Sequence, residues 1–323
     1  MRAMSPHVRI GISGWRYDEW RGIFYPDGLL QKRELAFASR MISTIELNGS
    51  FHSLQKPESF RDWHAETPEH FVFAVKGPRF ITHVLRLKEC RAPLANFIAS
   101  GLLPLGPKLG PILWQFPPFM PFKAERFAAF FEMLPHDTEA AAALAREHDA
   151  KVEGRALVET DAKRPLRHAI EARHPSFASP EFVALLREHR IAPVVADSAG
   201  KWPLVEDLTA DFVYLRMHGD ETVNDGAYPD DALARWAARI DRWSHGGQPD
   251  DARLASPDSA PAACAQRDVY VYFDNDAKAH APFDAARLCE RLGLPSGLQR
   301  DADGRPRFVA PEAFVKRAAK QGG

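Results

Sequence analysis

Eight short apolar runs, rich in β-branched and aromatic residues, recur along the chain at 8–15, 44–51, 71–76, 111–116, 168–173, 192–197, 212–218 and 269–274. Runs such as FVFAV and VYVYF are hydrophobic without alternation, the pattern of strands covered on both faces, so the sheet they build is parallel. Parallel strands need crossover connections. Most of the intervening segments have helical character, at 29–41, 59–66, 85–100, 124–134, 180–189, 230–243 and 282–292. Ser179 ahead of Pro180, and Pro282, mark two helix starts. This order predicts an α/β fold, a TIM-type (β/α)8 barrel. The stretch 199–210 is too short and too marked by Pro and Trp for a full helix, so the barrel is expected to be irregular between strands six and seven.

No internal repeat or interdomain linker is visible, and residues 1–323 read as one barrel domain. Two insertions are expected, about 136–152, with a helical segment at 137–149, and 246–266. The second is rich in Pro, Ala, Ser and Asp and reads as a mobile loop that folding does not need. The tail, 295–323, is expected to pack against the outside of the barrel.

With 42 basic and 43 acidic residues the net charge is −1, so a broad basic surface for nucleic acid is not indicated. No stretch approaches the length of a membrane span, and residues 1–7 hold no apolar signal region, which predicts a cytoplasmic protein. Cys90, Cys264 and Cys289 lack CxxC or zinc-ligand spacing and are expected to be free thiols.

In TIM barrels the active site lies at the C-terminal ends of the strands, so polar residues ending apolar runs are site candidates. Nearly every run supplies one: Ser13 and Trp15, Glu46 and Asn48, Lys76, Gln115, Glu171 with Arg173 and His174, Asp197, Arg216 with His218, and Asp274, Asn275 and Asp276. The i, i+2 pairs Glu46/Asn48, Glu171/Arg173 and Arg216/His218 each share one face of a strand. Individually these are ordinary rim charges, or a buried ion pair such as Glu171 with Arg216. Together they are better explained by a ligand, because burying several ionisable groups is costly unless they are paired or used.

Of the aromatics in WRYDEWRGIFYP, Trp20, Phe24 and Tyr25 read as local core, and Trp15 as a platform for a sugar or base. Asn275, Lys278 and His280, before a helix, suggest an anion site, whereas Asp274 and Asp276 suit a divalent cation held with Glu46, Glu171 or Asp197. GxGxxG after the first strand, GxxxxGK[ST], HExxH and GxSxG are all absent, so no nucleotide-cofactor, P-loop, zincin or α/β-hydrolase motif is present.

The segments GISGWRYDEWRGIFYP, TIELNGSFHSLQKPESFRDWHAETPEHFVFAVK followed by ITH, LGPILWQFPP, IEARHPSF, VYLRMHGD and VYVYFDNDAKAHAP span residues 10–283 in order. Through them the chain resembles the YecE-like family, domain of unknown function 72. The resemblance implies a TIM-like barrel with a strand-end pocket and supplies no activity. It marks Glu46, Asn48, Phe51, Lys76, Thr82, His83, Gln115, Glu171, Arg173, His174, Arg216, His218, Asn275 and His280 as family positions. His52, where the family more often has Tyr, and Asp274, where it has Asn, depart from the pattern.

The expected function is that of an enzyme acting on a small anionic or sugar-like substrate by acid–base or metal-assisted chemistry. Glu46, Lys76, Glu171 and His218 are its expected catalytic groups. Trp15, Asn48, His83, Gln115, Arg173, Asp197, Arg216, Asn275 and His280 are its expected substrate contacts. The competing expectations are a glycosidase pairing Glu46 or Glu171 with Asp197, and a non-catalytic barrel that binds a metabolite or nucleic acid.

Overall fold

The computed structural model describes residues 8–219, 226–261 and 263–309. Eight parallel strands close in sequence order into a barrel, the last pairing with the first. They are β1 (Val8–Ser13), β2 (Thr44–Leu47), β3 (Val72–Lys76), β4 (Leu109–Phe116), β5 (His168–Ala172), β6 (Ala192–Asp197), β7 (Phe212–Met217) and β8 (Asp268–Phe273). All eight expected runs form strands. The main difference is β2, which stops at Leu47 instead of continuing to 51. Asn48 adopts helical angles, and Ser50 donates its hydroxyl to the Leu47 and Lys76 carbonyls, turning the chain into the short helix α2 (Gly49–His52).

The outer layer comprises α1 (Glu34–Met41), α3 (Pro57–Glu66), α4 (Arg91–Ala99), α5 (Ala124–Met133), α6 (Thr138–Ala145), α7 (Pro180–Glu188), α8 (Asp230–Ser244) and α9 (His280–Arg291). Ser179 caps α7, accepting from the Phe182 amide at 3.3 Å. The helix expected over 85–100 is shorter, because Arg86, Leu87 and Glu89 take positive φ and break its first half. Between β6 and β7 the chain crosses without a helix, as its composition predicts. Among the described residues, no helix is long and apolar enough to cross a membrane.

Residues alternate faces along each strand. One set, including Ile12, Ile45, Val75, Trp114, Ile170, Leu215 and Phe273, packs in the large outer core against the helices. The other set forms a separate inner cluster of Val72, Ala74, Leu113, Ala169, Ala192, Val194, Ala196, Phe212, Tyr214, Tyr270 and Tyr272. The strand N-terminal end is closed by Arg167, whose guanidinium donates to Asp268 (2.6 Å) and Asp211 (2.7 Å). The inner cluster thus fills the barrel and leaves its opposite end to polar residues.

After Pro295 the chain forms a hairpin, β9 (Leu298–Arg300) with β10 (Pro306–Phe308). Phe308 packs on Phe24 and Phe283 at 4.8 and 5.0 Å. The expectations for 1–7 and for the end of the tail, 310–323, lie outside the described residues.

The segment expected to be a mobile loop, 246–266, has no regular structure in its described part but is tied to the barrel. Its backbone amides at Arg253, Ala255 and Ser256 donate to Glu206 (2.8 Å) and Asp207 (2.7 and 3.1 Å), carboxylates only 1% and 3% exposed. The composition predicts looseness because it offers few apolar side chains, but here the backbone supplies the contacts. Deleting 251–258 is therefore expected to cost about 2–4 kcal/mol, the penalty for buried carboxylates that lose their amide donors, Glu206 keeping only Arg239. Urea melts check this, and an unchanged midpoint would restore the picture of a dispensable loop.

Candidate active site at the barrel mouth

Directly above the inner cluster, on the same inward register, lie Ser13, Glu46, Lys76, Gln115, Glu171 and Arg216, all buried. Each follows an inner-facing residue by two positions, as Glu46 follows Thr44 and Arg216 follows Tyr214. Arg216, 1% exposed, is the hub. It donates to Glu171 (2.8 Å), Glu46 (3.0 Å), Asp274 (2.8 Å) and the Ser13 hydroxyl (3.1 Å). Glu46 also accepts from Ser13 and from the Tyr214 hydroxyl, both at 2.6 Å. Glu171 accepts from Gln115 (2.8 Å) and from Arg173 through Nε (3.0 Å) and a terminal nitrogen (2.9 Å). His218 lies with Nδ1 3.1 Å from Asp274 and Nε2 3.6 Å from Glu171.

Lys76 differs from these. Its Nζ stands 4.5 Å above the Phe51 ring, and among the described residues it makes no hydrogen bond or ion pair. At the rim, Asn48 donates to the Ser13 hydroxyl at 2.9 Å, and His83 packs against the edge of Phe51 at 5.2 Å.

These surroundings push proton affinities apart. Burial alone would raise Glu171 and Asp274, but Arg216 and His218 hold both carboxyls well below the usual range. Burial pushes Lys76 down, and so does Arg216, more than the nearby carboxylates lift it. Burial also opposes charge on His218, yet the neighbouring Asp274 and Glu171 carboxylates win and raise it. His83 is lowered to about 4 by burial and then by Arg79, Lys76 and Arg173. Asp276 is raised to about 7 by burial and by the negative charge of Asp274, with hydrogen bonding to Tyr17 offsetting only part.

The geometry therefore brings together Glu46, Lys76, Gln115, Glu171 and Arg216, with Asn48, Arg173, His218 and His83 around them. Four expected contacts fall elsewhere. Asp197 shares its face with outward Val195 and accepts from Trp236 Nε1 (2.8 Å) and the Tyr228 hydroxyl (3.1 Å), so it braces α8 and cannot pair with Glu46 or Glu171 across a cleft. Trp15 is 8% exposed and meets Trp63 of α3 edge to face at 5.7 Å, which leaves no free ring face for a ligand platform. Asn275 follows outward Phe273 by two and donates to the Gly226 carbonyl and to Asp284, both at 2.9 Å. His280 opens α9 and makes no hydrogen bond or ion pair with the described Arg216 cluster.

Ser13, one of the strand-end candidates, joins the cluster. Tyr214 escaped the sequence reading: it lies two residues back from Arg216 and is hidden as one more aromatic in an apolar run. Asp274, set apart as a departure from the family pattern, holds a central position between Arg216 and His218. Tyr17 stacks on Trp20 at 4.3 Å and donates to the Ser13 carbonyl at 2.5 Å, which places it beside Asp276. Trp20, Phe24 and Tyr25 are buried local core, as expected.

Among the described residues, no three His, Cys, Asp or Glu side chains group so as to hold a metal ion. The inward carboxylates that might have served as ligands instead face Arg216.

Volume and chemistry do not coincide. A cavity of about 1010 Å³ lies between the end of β6 and α8, lined by Asp197, Trp202, Trp236 and Arg239, and one of about 560 Å³ is lined by Phe51, Ile81, Asn96 and Lys151. Both flank the cluster through an aromatic wall, since Arg173 lies over Trp202 at 4.6 Å and Lys76 over Phe51. The convergence of titratable groups, rather than either volume, marks the candidate site.

The raised Asp276 carboxyl makes a stability prediction. A carboxyl raised on folding binds a proton that the unfolded chain has released, so its destabilising effect is absent below the ordinary pKa near 4 and complete above about 7. Asp276→Asn, which cannot ionise, is expected to gain stability relative to the parent between pH 5 and pH 8, by roughly 2–3 kcal/mol. Denaturant melts at the two pH values measure it; a difference independent of pH would show that Asp276 is not raised.

Residues 9–307 match the family described as Protein of unknown function DUF72. Over 129 residues the chain is 28% identical to the UPF0759 protein YecE of Escherichia coli K12, covering 40% of this chain and 44% of YecE. Over 126 residues it is 30% identical to the UPF0759 protein YunF of Bacillus subtilis, covering 38% and 44%. The chain thus spans less than half the length of these curated relatives. A solved DUF72 family protein from Thermotoga maritima, 24% identical, has a TM-score of 0.66 over 89% of this chain and 99% of that one. Another, from Enterococcus faecalis, is 16% identical with a TM-score of 0.60 over 90% and 99%. These likenesses show the fold.

Proposed function

Because this chain belongs to the DUF72 family, whose description assigns no activity, we propose its function from the barrel mouth: an enzyme that converts a small anionic or sugar-like substrate by acid–base chemistry. The observation that carries this reading is the split between neighbouring carboxyls, Asp276 raised to about 7 beside an Asp274 held ionised. Titratable neighbours driven apart in this way are how a site assigns acid and base roles.

The roles differ from those the sequence suggests. Glu46 and Glu171 are spent on Arg216 and act as its anchors, since a carboxyl held as low as Glu171 is a poor proton donor or acceptor near neutrality. Asp276 and His218 are the proton-transfer groups. Arg173, whose side chain is 21% exposed, meets the negative charge of the substrate. A two-carboxylate glycosidase is a second reading, supported by the same Asp274/Asp276 split and no longer by Asp197.

A screen of hydroxy acids, sugar acids, sugar phosphates and aryl glycosides, read by melting temperature and by turnover, tests the proposal. The expected result is a compound that stabilises both the parent and Asp276→Asn but is turned over about 100-fold more slowly by the variant. Turnover of aryl glycosides alone selects the glycosidase. Equal turnover by the variant removes Asp276 from the chemistry, and stabilisation without turnover across the panel favours a binding protein.

A further inference from the structure

The polar layer contains one cation whose position charge balance does not explain. Arg216, Arg173 and His218 each face a carboxylate, whereas Lys76, 7% exposed at the end of β3, rests its Nζ on the Phe51 ring and reaches no anion among the described residues. A lysine that merely neutralised Glu46 or Glu171 would be expected within ion-pair distance of one. Burial and the charge of the nearby Arg216 guanidinium favour its uncharged, nucleophilic form, against the weaker pull of the ring face on an ammonium.

We propose that Lys76 is a covalent catalytic residue that forms an imine with a small anionic aldehyde or ketone. The inference deepens the acid–base reading of the same mouth and rests on it. The uncharged Nζ adds to the carbonyl carbon, one proton passes from nitrogen to the carbonyl oxygen to give a carbinolamine, and the second nitrogen proton leaves with that hydroxyl as water, so that the carbon–oxygen bond breaks and a carbon–nitrogen double bond remains. Amine and carbonyl give imine and water, with no oxidant or reductant. His83, kept uncharged near neutrality and packed on the same Phe51 ring at 5.2 Å, is positioned to relay the proton. Protonation of the imine would place a positive charge near Glu46, Glu171 and Asp274, the carboxylates whose fields already favour a cation at Nζ. A carboxylate on the substrate would lie toward Arg173, at the edge of the layer. The position on β3 thus accounts for why the amine is both buried and unpaired: an ion pair would hold it protonated and block attack.

The test uses the full-length parent protein with glyoxylate as probe and borohydride to trap any imine, followed by peptide mapping. The expected result is one reduced adduct on Lys76 at pH 7, formed about tenfold faster than on exposed lysines such as Lys163, whose amines are almost fully protonated there. Phe51→Leu, which keeps the amine in apolar surroundings and removes the ring's pull on the ammonium, should leave that preference intact or increase it; loss of the preference in this variant would count against the neutral amine. Lys76 left unmodified while Lys163 reacts would overturn the imine. If it is overturned yet Asp276-dependent turnover is found in the substrate screen, the acid–base reading stands alone. Selective labelling of Lys76 without turnover of any screened compound would support the imine and count against the acid–base assignment instead.

Discussion

Arg216→Met is expected to lower stability by about 3–5 kcal/mol at neutral pH, because it strips the cation from Glu46, Glu171 and Asp274 at once. The loss should depend on pH. In the parent, Glu171 and Asp274 are held below the ordinary carboxylate range, so they contribute stability that is present above about pH 4 and is lost as pH falls through their lowered values. Without Arg216 the same burial raises them, and acid lets them become neutral. The gap between parent and variant should therefore be widest at pH 7–8 and narrow toward pH 5. Adding Glu171→Leu to Arg216→Met should recover little, since Glu46 and Asp274 have also lost the guanidinium; a simple two-residue brace would recover fully. Urea melts of the three proteins at pH 7.5 and pH 5 decide the matter. A loss under about 1 kcal/mol would mean that water or a rearranged side chain replaces the hub.

Gly11→Ala is the second large effect expected. A Cβ on Gly11 would stand 1.7 Å from the Thr44 carbonyl oxygen, a backbone atom that cannot swing aside. β1 and β2 would have to part at the register that brings Ser13 opposite Glu46, so the barrel seam and one wall of the site would be disturbed together. The expected cost exceeds about 4 kcal/mol, with most of the protein insoluble. Gly28→Ala is the control: its φ of +74° strains an alanine, but nothing lies within 4 Å, so only about 1 kcal/mol is expected. Soluble yield and thermal melts compare the two, and a Gly11→Ala protein melting within a few degrees of the parent would show that the seam has slack.

The repeated apolar runs by themselves determined that eight strands would form in a parallel barrel, and polar residues ending those runs marked the end where the buried polar cluster lies. Glu46, Gln115, Glu171 and Arg216 were legible in this way because burying such groups at strand ends demands partners, which the others supply; Lys76 was legible only as a polar residue ending its run. What the sequence could not decide was direction. In a half-exposed strand, alternation tells inside from outside, but a barrel strand is apolar on both faces, so its pattern does not say which face meets the axis. Asp197 and Arg216 both end apolar runs, yet only closure of the barrel turned Arg216 inward and Asp197 out to Trp236 and Tyr228. The same ambiguity concealed Tyr214 as an ordinary core aromatic, although its hydroxyl holds Glu46. The anchoring of the loop over 246–266 was hidden for a related reason: it is done by backbone amides, which every residue but proline carries. Only the tertiary structure, by bringing Glu206 and Asp207 to those amides, fixed the segment in place.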